Sequence, residues 1–202
     1  MNNKPVWIFK SQKQMIISLI LFILFIMGFI YVSTIDFSKK DINDNEKFAN
    51  EHKAIIDKEN VYTYINNQEA LTYIKQDNVI ILFGIKNNDY VGYYANILNE
   101  VAKNNNVEEI YYYDITDDRE KKNGTYQSIA EYLSDYVTHL DDGTVNIYGP
   151  TLYVKKNGIV IHFDDSNAFI SGNMNAEKYW SEYQIGLQKE VLNEVLKEYM
   201  EM

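Results

Sequence analysis

The sequence predicts an α/β domain with a mostly parallel sheet and one antiparallel edge hairpin, preceded by a single membrane-spanning helix. An uncharged, apolar run covers 15–32. Further along the chain, β-rich segments alternate with segments of helical periodicity, an order that lays crossover helices on a parallel sheet. Near the end, Asn157 and Gly158 separate two β-rich runs, which is a strong hairpin signal.

The N-terminal run "MIISLILFILFIMGFIYV" contains 18 residues without a charge. At a rise of 1.5 Å per residue, about 20 such residues cross the hydrocarbon core of a bilayer. Ser18 is the only strongly polar residue before Gly28, which argues against a core helix of a soluble domain. A cleaved signal peptide is the alternative, but "YVSTIDFS" offers no small-residue cleavage site. We therefore assign residues 15–35 to an uncleaved transmembrane signal anchor.

Charge flanking the anchor predicts its orientation. Lys4, Lys10 and Lys13 precede it without any acid, whereas both signs follow it. The positive-inside rule then makes residues 1–14 a cytoplasmic tail and places the remaining domain on the extracytoplasmic side. Lysine far outnumbers arginine, Arg119 being the only one, and asparagine and isoleucine are abundant, a bias of AT-rich bacterial genomes. The predicted location is the plasma membrane of a bacterium, crossed once.

Residues 36–58 are polar and predict a tether between the anchor and a domain over 59–202. Both a helix over 43–58 and a flexible spacer fit this composition. The net charge is −10, and it becomes about −13 beyond residue 32 because the first 32 residues contain three lysines and no acid. So acidic a domain argues against nucleic acid as a partner.

The domain segments predict the order βαβαβα followed by ββα. "NVIILFGI" is a continuous apolar run typical of a strand buried on both faces, and Asn66 or Asn67 is suited to cap the helix before it. The predicted strands cover 61–65, 78–85, 108–115, 150–156 and 158–163, and the predicted helices cover 66–76, 91–106, 125–140 and 176–200.

The last predicted helix carries an apolar stripe at helical spacing. Its members are Trp180, Tyr183, Leu187, Val191 and Val195. Such a stripe is more often core packing than a partner surface, so we expect it to lie against the sheet.

Several kinds of chemistry are excluded or disfavoured. The chain has no cysteine, which removes disulfides, thiolate nucleophiles, thiolate-ligated zinc and a lipid-modified cysteine anchor. His52, His139 and His162 are scattered without a metal-ligand spacing. The carboxylates within 114–118 and at 164–165 do not fit a calcium-loop pattern and predict solvated turns. We expect no catalytic residue, metal or cofactor.

The segment around the central strand resembles one family. In thioredoxin-like proteins, especially the bacteriocin transport accessory or maturation group of Gram-positive bacteria, this strand ends in glycine. Three residues then precede a C-x-x-C motif that opens a helix, and a leucine follows seven residues after the second cysteine. Here Gly84 ends the strand and Leu98 occupies the leucine position. The four motif positions hold Asn88, Asp89, Tyr90 and Val91.

Two further segments resemble the same family, and the resemblance covers residues 60–165 and, more loosely, the last helix. "EEIYYYDI" is similar to its aromatic strand ending in an aspartate, here Asp114, and "GPTLYVKKNG" is similar to its segment that begins with a proline, here Pro150. The resemblance implies a cis peptide bond before Pro150, beside the helix start. The alternative is a proline that simply begins a strand.

The resemblance implies a fold without the chemistry of the family. Thiol–disulfide exchange needs an attacking thiolate and a resolving sulfur, and both cysteine positions, Asn88 and Val91, lack sulfur. Asp89 is better suited to the positive end of the helix than to acting as a base. We expect a redox-inactive, membrane-anchored thioredoxin-like protein that is not an enzyme. It would bind a peptide or protein partner through residues 88–91, Gly149 and Pro150, in bacteriocin export, maturation or immunity. The alternative is a structural subunit of a membrane complex without a peptide-binding groove.

Overall fold

The computed structural model describes residues 16, 17, 19–22, 44–53, 57–139, 143–170 and 174–201. The chain divides into two compact units, Met1–Lys39 and Lys40–Met202. In the first unit the described residues are helical and exposed. Most of the predicted anchor over 15–35 lies outside the described residues. Within the described residues, no helix is both long and apolar enough to cross a bilayer.

The second unit contains five strands and seven α-helices among its described residues. The strands are β1 (Tyr62–Tyr64), β2 (Val79–Gly84), β3 (Ile110–Asp114), β4 (Thr151–Lys156) and β5 (Ile159–Asp164). The helices are α1 (Asp44–Glu51), α2 (Asn67–Tyr73), α3 (Asp89–Asn104), α4 (Thr116–Glu120), α5 (Gly124–Tyr132), α6 (Ala176–Tyr179) and α7 (Glu182–Met200). A short 3₁₀ helix over Ser166–Phe169 follows β5.

The strands form one mixed sheet in the order β1-β3-β2-β4-β5. The three strands β1, β3 and β2 are parallel, with Gly84 paired to Asp114 at the carboxyl end. Strand β4 runs antiparallel to β2, and β5 runs antiparallel to β4. Asn157 and Gly158 turn the hairpin with positive φ angles of 51° and 78°, as a tight two-residue turn requires. The predicted α/β class, with a mixed sheet flanked by helices, is confirmed.

Strand β2 lies at the centre, and all six of its residues are buried. Successive side chains of a strand point to opposite faces. Ile80 and Leu82 therefore pack in one hydrophobic cluster, with α3 and α7, and Ile81 and Phe83 pack in a second cluster, with α2 and α5. The continuous apolar run in the sequence is explained by this burial on both faces.

Helix α1 lies within the segment predicted to be a tether, yet it packs on the domain. Phe48 is fully buried, and its ring stacks on Tyr62 with centroids 4.1 Å apart. Both ends of α1 are also bonded to β1, because Tyr64 donates its backbone N–H to Asp44 (2.9 Å) and its hydroxyl to Glu51 (2.6 Å). Residues 44–51 therefore form a helix of the domain.

The single helix predicted at the end of the chain is two helices in the structure. Helix α6 ends before Trp180, and α7 begins after Ser181, whose side chain caps it. Trp180 is buried as predicted. Val195 also packs against the core, as predicted. The other three members of the stripe do not line the core: Tyr183, Leu187 and Val191 are 72%, 41% and 45% exposed, so their predicted core role was wrong. A second stripe of α7 packs instead; its members are Ile185, Leu192, Val195, Leu196 and Tyr199.

Candidate functional site

The start of α3 is where the sequence predicts a binding site. Asn88 has an extended backbone, and its side chain accepts a hydrogen bond from the N–H of Val91 at 3.1 Å. The first N–H groups of a helix lack partners within it, so this contact stabilises the helix start. Asn88 therefore has a structural task at the position that the sequence resemblance matches to a cysteine.

The other three motif residues lie in different environments. Asp89 is exposed in the first turn of α3, where the helix dipole favours a negative charge. Tyr90 is half-buried, its ring centroid 5.9 Å from that of Tyr179, and its hydroxyl donates to the backbone carbonyl of Met174. Val91 is completely buried in the core. Of the four, Asp89 and the accessible part of Tyr90 can meet a partner directly.

The Gly149–Pro150 peptide bond is cis, as predicted. Both residues are buried. A Cβ atom on Gly149 would lie 3.1 Å from the backbone of Gly84, so the loop passes directly against the end of β2. Next to it, the Tyr148 and Phe169 rings are in contact, with centroids 4.9 Å apart. The structure thus brings the proline loop to the strand end from which the chain leads into Asn88.

A charged group borders the same edge of the sheet. The Lys86 ammonium lies 3.9 Å from the carboxylate of Asp114 and 3.5 Å from that of Asp117. The pKa of Asp117 is lowered, first by its hydrogen bond to Lys121 and then by the nearby charges of Lys121 and Lys86. Asp114 also accepts a hydrogen bond from the backbone N–H of Thr116 at 3.0 Å. These carboxylates are occupied by pairing and turn formation, and the described residues hold no cluster of three metal-ligating side chains.

A buried histidine–tyrosine pair lies beside this site, and no sequence pattern predicted it. His52 is 1% exposed, and its Nε2 atom lies 2.9 Å from the Tyr112 hydroxyl. Burial lowers the pKa of His52 to about 4, although the nearby Asp114 acts in the opposite direction. The imidazole is therefore neutral at pH 7.

The pair fixes which residue can end β2. A Cβ atom on Gly84 would lie 2.4 Å from Cε2 and 2.7 Å from the hydroxyl oxygen of Tyr112. Neither distance is compatible with a side chain, so glycine at this position reflects a close approach of the Tyr112 ring to the backbone.

A cavity of about 90 Å³ separates the end of α1 from the start of α3. Its lining combines one ammonium with two carboxylates, the His52 ring and the first residues of α3. The lining residues are Glu51, His52, Lys53, Asn87, Asn88, Asp89 and Gly92. A space of this size holds a few water molecules or one small polar group rather than a substrate of ordinary size. The cavity is therefore suited to a polar group that contacts the start of α3.

No model of a protein family matches the sequence, and no significant match was found among curated proteins.

Proposed function

We propose that residues 59–202, with helix α1 packed on them, form a redox-inactive thioredoxin-like domain that binds a peptide or protein partner. A signal anchor over 15–35 would hold it on the extracytoplasmic side of a bacterial plasma membrane. The observation that carries the proposal is the packing of the Gly149–Pro150 loop against the backbone of Gly84, at the end of the central strand. By the family resemblance, the partner belongs to bacteriocin export, maturation or immunity.

The residues in the cysteine positions argue against thiol chemistry. The chain has no cysteine, Asn88 uses its side chain to cap α3, and Val91 is buried. A partner could still contact Asp89 and the edge of the Tyr90 ring, since tyrosine offers an apolar face and a polar tip. In this proposal the buried residues Val91, Gly149 and Pro150 do not contact the partner but support the residues that do.

Site-specific cross-linking tests the proposal in intact cells. A photoreactive residue at position 89 of the full-length chain should capture a defined partner, whereas the same residue at exposed position 131, on α5, should not. Equal capture at both positions would contradict the proposal. In a disulfide reductase or isomerase assay, the full-length protein should show no turnover above a control without protein.

The second candidate function is a structural subunit of a membrane complex without a peptide-binding groove. It is favoured by the exposed apolar residues of α7, to which the first candidate function assigns no role. Cross-linking at position 187 separates the two: capture at 187 with none at 89 supports the structural subunit, and the reverse result supports the groove.

A further inference from the structure

One side of α7 combines apolar and acidic residues that the domain does not use for its own packing. We name it the outer face of α7, defined by Tyr183, Leu187, Val191, Glu190, Glu194 and Glu198. The first three recur every four residues, which places them in one row along the helix. They are 72%, 41% and 45% exposed, while the opposite side of α7 packs through the buried Leu192 and Leu196.

Among the described residues, the glutamate carboxylates of this face are not paired with basic side chains, although the Lys156 ammonium donates to the backbone carbonyls of Glu198 and Glu201. Glu190, Glu194 and Glu198 are exposed, and none takes part in an ion pair in the described part of the chain. Like charges four residues apart on a helix repel each other, so the row destabilises an isolated α7. The two lysines of α7 do not reverse this, because Lys189 is paired with Glu100 at 2.6 Å and leaves Lys197 as the remaining cation.

Three kinds of occupant could cover an apolar row of this kind, and the charges discriminate among them. A second copy of the chain would bring two acidic rows together, at a cost in electrostatic repulsion. An anionic membrane surface would repel the glutamates in the same way. A helical segment with apolar residues flanked by lysine or arginine would satisfy both halves of the face at once.

We propose that the outer face of α7 is a docking surface for a basic amphipathic helix of a partner protein. The partner inserts its apolar side chains between Tyr183, Leu187 and Val191, and its basic residues pair with the glutamate row. This inference gives the second candidate function its partner chemistry and does not depend on the groove at α3. If basic peptides fail to bind while position 187 still captures a protein in cells, the partner chemistry fails and the structural subunit survives.

The test uses the full-length protein with a photoreactive residue at position 187, or at position 159 as the control. Ile159 is also an exposed apolar residue, 67% exposed, but it lies on β5 without a glutamate row. The probe is a synthetic amphipathic helical peptide with leucines on one side and flanking lysines. A matched peptide carries glutamates in place of the lysines.

The lysine peptide should cross-link at position 187 in a saturable way and not at position 159. The charge-reversed variant Glu190→Lys/Glu194→Lys should weaken its apparent affinity about tenfold, which corresponds to about 1.4 kcal/mol. Added salt should weaken binding by the protein with the native glutamates more than binding by the variant, because salt screens exposed charges.

Four results would overturn the proposal. They are equal cross-linking of the lysine and glutamate peptides, no cross-linking of the lysine peptide, unchanged affinity in the charge-reversed variant, and dimerisation or binding to anionic vesicles that is lost in Leu187→Ser.

Discussion

Helix α1 comes from a polar segment and packs on the domain, whereas the outer face of α7 comes from an apolar stripe and is exposed. The segment containing α1 is polar and was predicted to be a tether, helical or flexible, yet the side chain of its Phe48 is fully buried in the domain. The row on α7 is apolar and was predicted to be core, yet Tyr183 is 72% exposed. Phe48 is buried because surrounding rings form a site for its side chain, whereas the three apolar side chains on the outer face of α7 remain exposed.

The difference lies in the neighbours that each helix meets. Around Phe48, the rings of Tyr62, Tyr112 and His52 lie with centroids 4.1 to 4.7 Å away, so the site combines a neighbour from the end of α1 with residues of β1 and β3. Helix α7 has two apolar sides, and a helix packed on one layer can bury only one of them. The spacing of apolar residues therefore shows which sides of a helix are apolar, but the neighbouring elements of the fold determine which of these sides is buried.

The largest effect that we predict is on α1. Phe48→Ala should lower the free energy of unfolding by about 3–5 kcal/mol, because it leaves a cavity beside the rings of Tyr62, Tyr112 and His52. Denaturant unfolding followed by circular dichroism measures the change. Phe48→Leu, which keeps most of the volume, should cost less than about 1.5 kcal/mol. If Phe48→Ala changed the stability by less than about 0.5 kcal/mol, α1 would not be part of the folded domain in solution.

The same region should make the stability depend on pH. The pKa of His52 is 6.5 in the unfolded chain and about 4 in the folded protein. Below pH 6.5 the unfolded state therefore binds a proton that the folded state excludes, and stability falls as the pH falls. We expect a loss of about 2 kcal/mol between pH 7 and pH 5.

A neutral replacement isolates this contribution. Burial also lowers the pKa of His162, which acts in the same direction, so the wild-type slope has two sources. His52→Gln keeps a hydrogen-bonding group for Tyr112 but does not titrate in this range. Unfolding measured at several pH values should show a shallower slope for the variant. An unchanged slope would mean that His52 is accessible to protons in the folded protein.

Sequence patterns predicted much of the sheet and part of the site. The run "VIILFG" gave the central strand, Asn157 and Gly158 gave the hairpin, and the proline before β4 is cis as expected. Neither the packing of α1 nor the His52–Tyr112 pair was predictable, because both depend on contacts between different elements: the pair spans 60 residues, and the hydrogen bonds of α1 to Tyr64 span 13 and 20 residues. Local patterns contain no information about which distant residues meet.

The cap of α7 should have an intermediate effect. Ser181 accepts a hydrogen bond from the N–H of Gln184 at 3.4 Å and sets the residue at which α7 begins. Ser181→Ala should destabilise the domain by about 1 kcal/mol, whereas Ser181→Asp, which keeps an acceptor at the positive end of the helix, should retain the stability. Equal losses in both variants would show that the serine acts through packing rather than capping.

The smallest effect that we predict is on the outer face of α7, where a matched pair of leucines gives the sharpest comparison. Leu187 is 41% exposed and Leu192 is completely buried on the same helix. Leu187→Ala should change the free energy of unfolding by less than about 0.5 kcal/mol, and Leu192→Ala should lower it by about 2–5 kcal/mol. Helix propensity cannot explain a difference between them, because the substitution is the same in both. If the two variants lost equal stability, Leu187 would already be buried in the isolated protein, and α7 would have no free apolar face to offer to a partner.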